Sequence, residues 1–210
     1  MWYLLLIPLI FAYDCHEICR VQFNIMENTP IDDLKWNLND LLSNRTHYQY
    51  SLSNPSKYFE LNSTILKFRL NEFDRENICT NIFPTDQCEI ELQIFTQTSF
   101  IILFKLIVLD VNDWKPTFNQ DSIDLIIREN LPIDHHVQLP IAYDYDSIKY
   151  NIDHYEFVDN INEIETIFQL EEFHDELRLK LLKKLDCEMK NNYQLSIIAI
   201  DKGGWKSNIL

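Results

Sequence analysis

Asp110-Val111-Asn112-Asp113-Trp114-Lys115-Pro116-Thr117-Phe118 joins two strand-like apolar runs, 100–109 before it and 123–127 after it. Asp110, Asn112 and Asp113 put two carboxylates and a carboxamide within four residues, and Pro116 stiffens the exit. Charges this dense are costly to bury unpaired, so the stretch reads as a connector and not as a core strand. Its side chains are oxygen donors suited to a hard cation. It is not an EF-hand loop, which needs Gly at its sixth position and Glu at its twelfth.

Outward from the connector, both halves of the chain read as β-structure. Residues 20–26 alternate, with Val21, Phe23 and Ile25 facing one way. Short aromatic or β-branched runs follow at 48–52, 58–61 and 65–70, and 89–96 with 100–109 reads as a hairpin. Leu34, Leu38, Leu41 and Leu42 have helical spacing, but the surrounding β-like sequence weighs against a helix over 32–42. The second half repeats the order: 123–127 as a first strand, then 155–157, 167–170, the alternating 177–181, and 193–200. Strands at this spacing predict an all-β chain of two tandem Greek-key, immunoglobulin-like sandwiches of about 100 residues each. The expected segments are 1–13 as a signal peptide, 14–111 as the first repeat, 112–118 as the linker, and 119–210 as a second repeat incomplete at its end.

Composition narrows the function. The 210 residues include only two glycines, which excludes Gly-rich phosphate loops and leaves turns to Asn, Asp, Ser and Pro. A formal charge of -15 argues against nucleic acid as a partner. Residues 2–12 are apolar and too short to span a bilayer. They read as the core of a secretory signal without its basic start, or alternatively as a buried first strand. Cys79 and Cys88 bracket a loop of turn formers and are expected to form a disulfide in an oxidising compartment. Cys15 and Cys19 are close enough in sequence for local pairing to be doubtful on geometry, and Cys187 is left over. Asn44-Arg45-Thr46 and Asn62-Ser63-Thr64 are glycosylation sequons.

Acidic residues punctuate both halves, at matching points in Glu27 and Glu129 and in Asp74-Arg75-Glu76 and Asp186-Cys187-Glu188, and again in the second half at Asp144-Tyr145-Asp146 and at Asp201 after Ala199-Ile200. This ordered set resembles the calcium motifs of the cadherin superfamily. Asp74-Arg75-Glu76-Asn77-Ile78-Cys79, with Cys88 shortly after, resembles the first repeat of protocadherins in particular.

The resemblance implies calcium as cofactor. It assigns Glu27, Asp74, Glu76, Asp110, Val111, Asn112, Asp113, Trp114, Asp144, Asp146 and Asp201 to the joint between repeats, with Val111 and Trp114 acting through main-chain oxygens. Glu129, Asp186 and Glu188 would serve a following joint. Trp114 stands where the family usually has Asn, and Cys187 where it has Arg. Ile148-Lys149-Tyr150 departs from the usual loop, which puts a carbonyl ligand near Tyr150 or Asn151 in doubt.

The implied function is calcium-dependent adhesion to like molecules on apposed cells, at the cell surface. Membrane anchoring would come from a segment this chain lacks. A calcium-stiffened spacer in a secreted or receptor ectodomain is the alternative, and an extracellular hydrolase a more distant one. For an enzyme the sequence offers neither a nucleophile elbow nor an HExxH or CxxC spacing. His135 and His136 are adjacent, so on a strand their rings would point to opposite sides; they read as loop or surface residues.

Overall fold

The computed structural model of the chain describes residues 18–42, 48–79, 88–97, 100–159 and 161–210. The expectations for the signal segment, Cys15, Asn44 and the loop 80–87 lie outside these residues. The described residues fall into two compact units that meet in sequence at Val111 and Asn112.

In the first unit, β1 (Ile18–Met26) runs parallel to β7 (Ile101–Leu109), with nine residues paired along its length. β7 forms a hairpin with β6 (Cys88–Thr96), and β3 (Tyr50–Leu52) closes that sheet in the order β1-β7-β6-β3. The facing sheet is β2 (Lys35–Asn37), β5 (Ile65–Phe68) and β4 (Phe59–Asn62). Alternation decides which side is buried. On β6, Cys88, Ile90, Leu92 and Ile94 turn inward, while Glu89 and Glu91 turn outward. Lys105 of β7 lies outward too, ion-paired with Glu89 and 3.8 Å from Glu91. Phe104 is the hub of the core, with ring centroids 5.4 Å from Phe23, 5.0 Å from Trp36 and 5.6 Å from Phe59.

Two one-turn helices interrupt the strands, α1 (Leu38–Leu41) and α2 (Arg75–Ile78). The leucine spacing at 34–42 thus yields one helical turn after a short strand. Asn37 caps α1 by accepting from the Asn39 N–H at 3.2 Å. The expected disulfide joins Cys79 and Cys88. Cys19 is also disulfide-bonded, and Cys187 is a free, exposed thiol. Asn62 of the second sequon is exposed at the end of β4.

The second unit has β8 (His136–Leu139), β9 (Ile152–Phe157), a one-turn α3 (Ile161–Ile164), β10 (Phe168–Phe173), β11 (Glu176–Leu181) and β12 (Ile197–Asp201). One sheet is ordered β10-β11-β8, and β12 pairs with β9 in the other. Residues 206–210 return along β12, with the Ser207 N–H on Ala199 O at 2.9 Å and the Leu210 N–H on Ile197 O at 3.0 Å. Its core is separate, built on Leu139, Phe157, Phe168, Leu177, Leu179, Leu181 and Ile197.

The expected first strand at 123–127 is not a strand. In the first unit β1 forms its ladder on β7, and among the described residues no strand pairs with 123–127. The returning segment is hydrogen-bonded ahead of this region, where Asn208 Oδ1 accepts from the Phe118 N–H at 2.8 Å and Asn208 Nδ2 donates to Asp121 at 3.2 Å. Ile123 and Ile127 still rest against the core, whereas Ile126 is 97% exposed. Conversely, β8 forms where the sequence was read as loop. His136 opens it, exposed, with its ring 2.8 Å from Glu171.

Candidate metal centre

In the first unit the acidic residues gather where three segments end. Glu27 follows β1 in a turn in which Asn28 takes a positive φ of 61°. Its side chain is buried, 2% exposed, and acts as a staple. Oε2 accepts from the Arg75 N–H at 2.8 Å, and Oε1 from the Val111 N–H at 2.6 Å. Asp74 caps α2, with Oδ1 accepting from the Asn77 N–H at 3.1 Å. Ligand oxygens of Glu27, Asp74 and Glu76 lie within 4.8 Å of one another. Burial pushes the Glu27 carboxyl up to about 8, against the lowering effect of its two main-chain donors, and nearby Glu76 adds to the rise. Burial likewise raises Glu76, opposed by its hydrogen bond from Arg75. Carboxylates crowded at low dielectric in this way call for a cation.

In the second unit Asp146 is wholly buried, and both its oxygens lie 3.3 Å from the Trp114 N–H. Asp144 Oδ1 accepts from the Asp146 N–H at 3.0 Å, which folds the Asp-Tyr-Asp turn. Asp201, 2% exposed, accepts from Asn112 Nδ2 at 3.1 Å and from the Trp205 N–H at 2.8 Å. Asp113 is exposed. A further acidic turn belongs to the same unit, where Glu129, Cys187 and Glu188 bring their ligand atoms within 4.8 Å of one another.

Both halves of the connector's surroundings pass a chemical test for a hard cation. The donors are all carboxylate, carboxamide or main-chain oxygens. Glu76 Oε2 and Asn112 Oδ1 are buried and receive no hydrogen bond among the described residues. Such atoms are rare unless something else satisfies them.

No protein-family model matches the chain. Over 187 residues, 87% of its length, it is 28% identical to Cadherin-3 of Caenorhabditis elegans, and over 118 residues 30% identical to Protocadherin-7 of Homo sapiens. The extracellular cadherin domains 1-5 of Protocadherin Gamma B2 superpose on 89% of the chain with a TM-score of 0.69 and 27% identity. The chain is related to the cadherins. Its fold is that of cadherin extracellular domains, all-β sandwiches of the immunoglobulin type. It spans only 5% and 11% of the two curated relatives and 36% of the solved chain.

Against the cadherin motifs, two residues that shape the second unit were not singled out as site residues. Asn151, considered only for its carbonyl, uses its side chain to clamp the Asp-Tyr-Asp turn, with Nδ2 donating to Asp144 O at 3.2 Å and to Asp146 O at 3.4 Å. Gly203 leaves room for Asn112, because a Cβ there would overlap Asn112 Nδ2. Gly203→Ala is expected to keep this cadherin-like unit folded but push the Asn112 carboxamide off Asp201. The NMR signal of the Asn112 side-chain NH₂ would move, with Tm nearly unchanged. An unmoved signal would mean that the backbone yields instead.

Proposed function

We propose that this chain is an extracellular portion of a cell-surface adhesion protein, that it binds calcium at the connector, and that bound calcium stiffens the chain for recognition of like molecules. One observation carries the reading: the connector is held by carboxylates at both ends. Val111 donates its N–H to Glu27 and Trp114 donates its N–H to Asp146, with only Asn112 and Asp113 between them. Glu27, Asp74, Glu76 and Asp110 supply oxygens from the first unit. Asn112, Asp113, Asp144, Asp146 and Asp201, with main-chain oxygens of Val111 and Trp114, supply the rest. Glu129, Asp186 and Glu188 form the equivalent acidic turn for a further site. Calcium, when bound, supplies the positive charge that these carboxylates lack. Ordering the acidic segments restricts the connector's freedom, and a ligand selective for the ordered form shifts the population toward it. Asn44 and Asn62 are the proposed glycan carriers, in keeping with an extracellular address.

Calorimetric titration tests the calcium step. The chain should bind more than one ion with Kd of about 10⁻⁴ to 10⁻³ M, as extracellular calcium modules do. Asp113→Ala should remove part of that heat while leaving both units folded by circular dichroism. Absence of heat well above that range would refute calcium binding. For recognition, beads coated with the complete extracellular portion should aggregate in calcium and disperse in EDTA. Beads that stay dispersed in both would point to the spacer role.

A further inference from the structure

The chain carries the same acidic turn twice, with one difference at its centre. Asp74-Arg75-Glu76 follows β5, and Asp186-Cys187-Glu188 follows β11. In each, the central N–H donates to the glutamate that ends the unit's first segment: Arg75 N to Glu27 at 2.8 Å, Cys187 N to Glu129 at 3.0 Å. In each, the leading aspartate accepts from N–H groups further on, Asp74 from Asn77 at 3.1 Å and Asp186 from Glu188 at 3.1 Å. The main-chain frame therefore forms without an arginine side chain.

What the Arg75 side chain adds is a buried positive charge. The residue is 5% exposed. Nη1 lies 2.8 Å from Glu76 Oε1 and 3.7 Å from Asp110 Oδ1, so one guanidinium ties the turn after β5 to the end of β7. Both carboxylates are themselves largely buried, with side chains 13% and 7% exposed. A guanidinium suits this place, being permanently charged, planar and more weakly hydrated than an ammonium. Removing one partner from such a buried group leaves the others as uncompensated charge.

We infer that Arg75 is a positioning residue. It is an internal counter-ion that holds Glu76 and Asp110 together in the absence of metal, so that the first unit's acidic site is assembled before an ion arrives. With Cys187 in the same place, the second unit's counterpart lacks this brace. The inference rests on the calcium reading above, since it concerns residues assigned there as ligands.

The test is thermal unfolding and amide exchange of the 210-residue chain and its Arg75→Met variant, each in EDTA and in saturating calcium. In EDTA the variant's first-unit Tm should fall by at least about 5 °C, and the Val111 amide should exchange faster. In calcium the loss should shrink to less than half. An equal loss in both buffers, when wild type responds to calcium, would make Arg75 an ordinary packing residue and overturn the inference; so would no loss in EDTA. Wild type with no response to calcium would instead be the failure of the calcium reading. If Arg75→Met does not fold, Cys187→Arg decides. The amide of residue 187 should exchange several-fold more slowly in EDTA, and an unchanged rate overturns the inference.

Discussion

Phe104→Ala should lower the melting temperature of the first unit steeply and leave that of the second unit in place. Phe104 is 1% exposed and packs its ring against Phe23, Trp36 and Phe59 at once. Truncation removes the transfer energy of the ring and leaves a cavity in the middle of an aromatic cluster, at a cost of about 3–5 kcal/mol. The neighbours are themselves rigid rings anchored on β1, β2 and β4, so they have little freedom to collapse into the space. For a unit of this size the loss corresponds to a fall of roughly 12 °C or more. The second unit's core contains none of these residues, so its transition should stay in place. Differential scanning calorimetry would show one transition moving and one fixed. A shift of both by the same amount would contradict independent cores.

Glu27→Ala is expected to act in the opposite sense to Arg75→Met, hurting the calcium-bound state more than the metal-free one. Two effects compete in EDTA. Losing the carboxylate leaves the buried N–H groups of Arg75 and Val111 without their acceptor, each worth about 1–3 kcal/mol. It also relieves the cost of burying that carboxylate beside Glu76, whose presence helps push Glu27 up to about 8. The two partly cancel, so the metal-free loss should be modest. With calcium nothing cancels: the proposed ligand is gone, and the staple that holds Val111 at the connector goes with it. Affinity should fall at least tenfold, about 1.4 kcal/mol. Calorimetry on wild type and variant reads this directly. A variant that binds calcium normally would remove Glu27 from the ligand set.

What the sequence revealed depended on whether a residue's role shows as a pattern. The first unit's strands were legible because Val21, Phe23, Ile90, Leu92 and Ile94 alternate with polar neighbours, and a buried face needs that alternation. The repeated order misled at 123–127, since an apolar run in the place of a first strand says nothing of whether a neighbouring strand is there to complete the ladder. β8 escaped notice because only Val137 and Leu139 mark it. The acidic turns stood out by repetition in the two halves. Asn151 and Gly203 did not, because a clamp depends on how the Asp-Tyr-Asp turn folds back on itself and a clearance on a partner far away in sequence, Asn112. The cross-link from Arg75 to Asp110 was invisible because its partners too are far apart in sequence.

The parallel pairing of β1 with β7 has a mechanical consequence. Among the described residues β1 is the first strand of its unit and β7 the last, they run in the same direction, and nine residues of each are in register. Tension applied at the two ends of the unit would pull these strands past each other lengthwise. The load then falls on the whole ladder at once, and its hydrogen bonds cannot open one after another as in a zip. Under the proposed adhesive role the chain is pulled along its length, and this arrangement sets the β1–β7 seam in the direction of that pull.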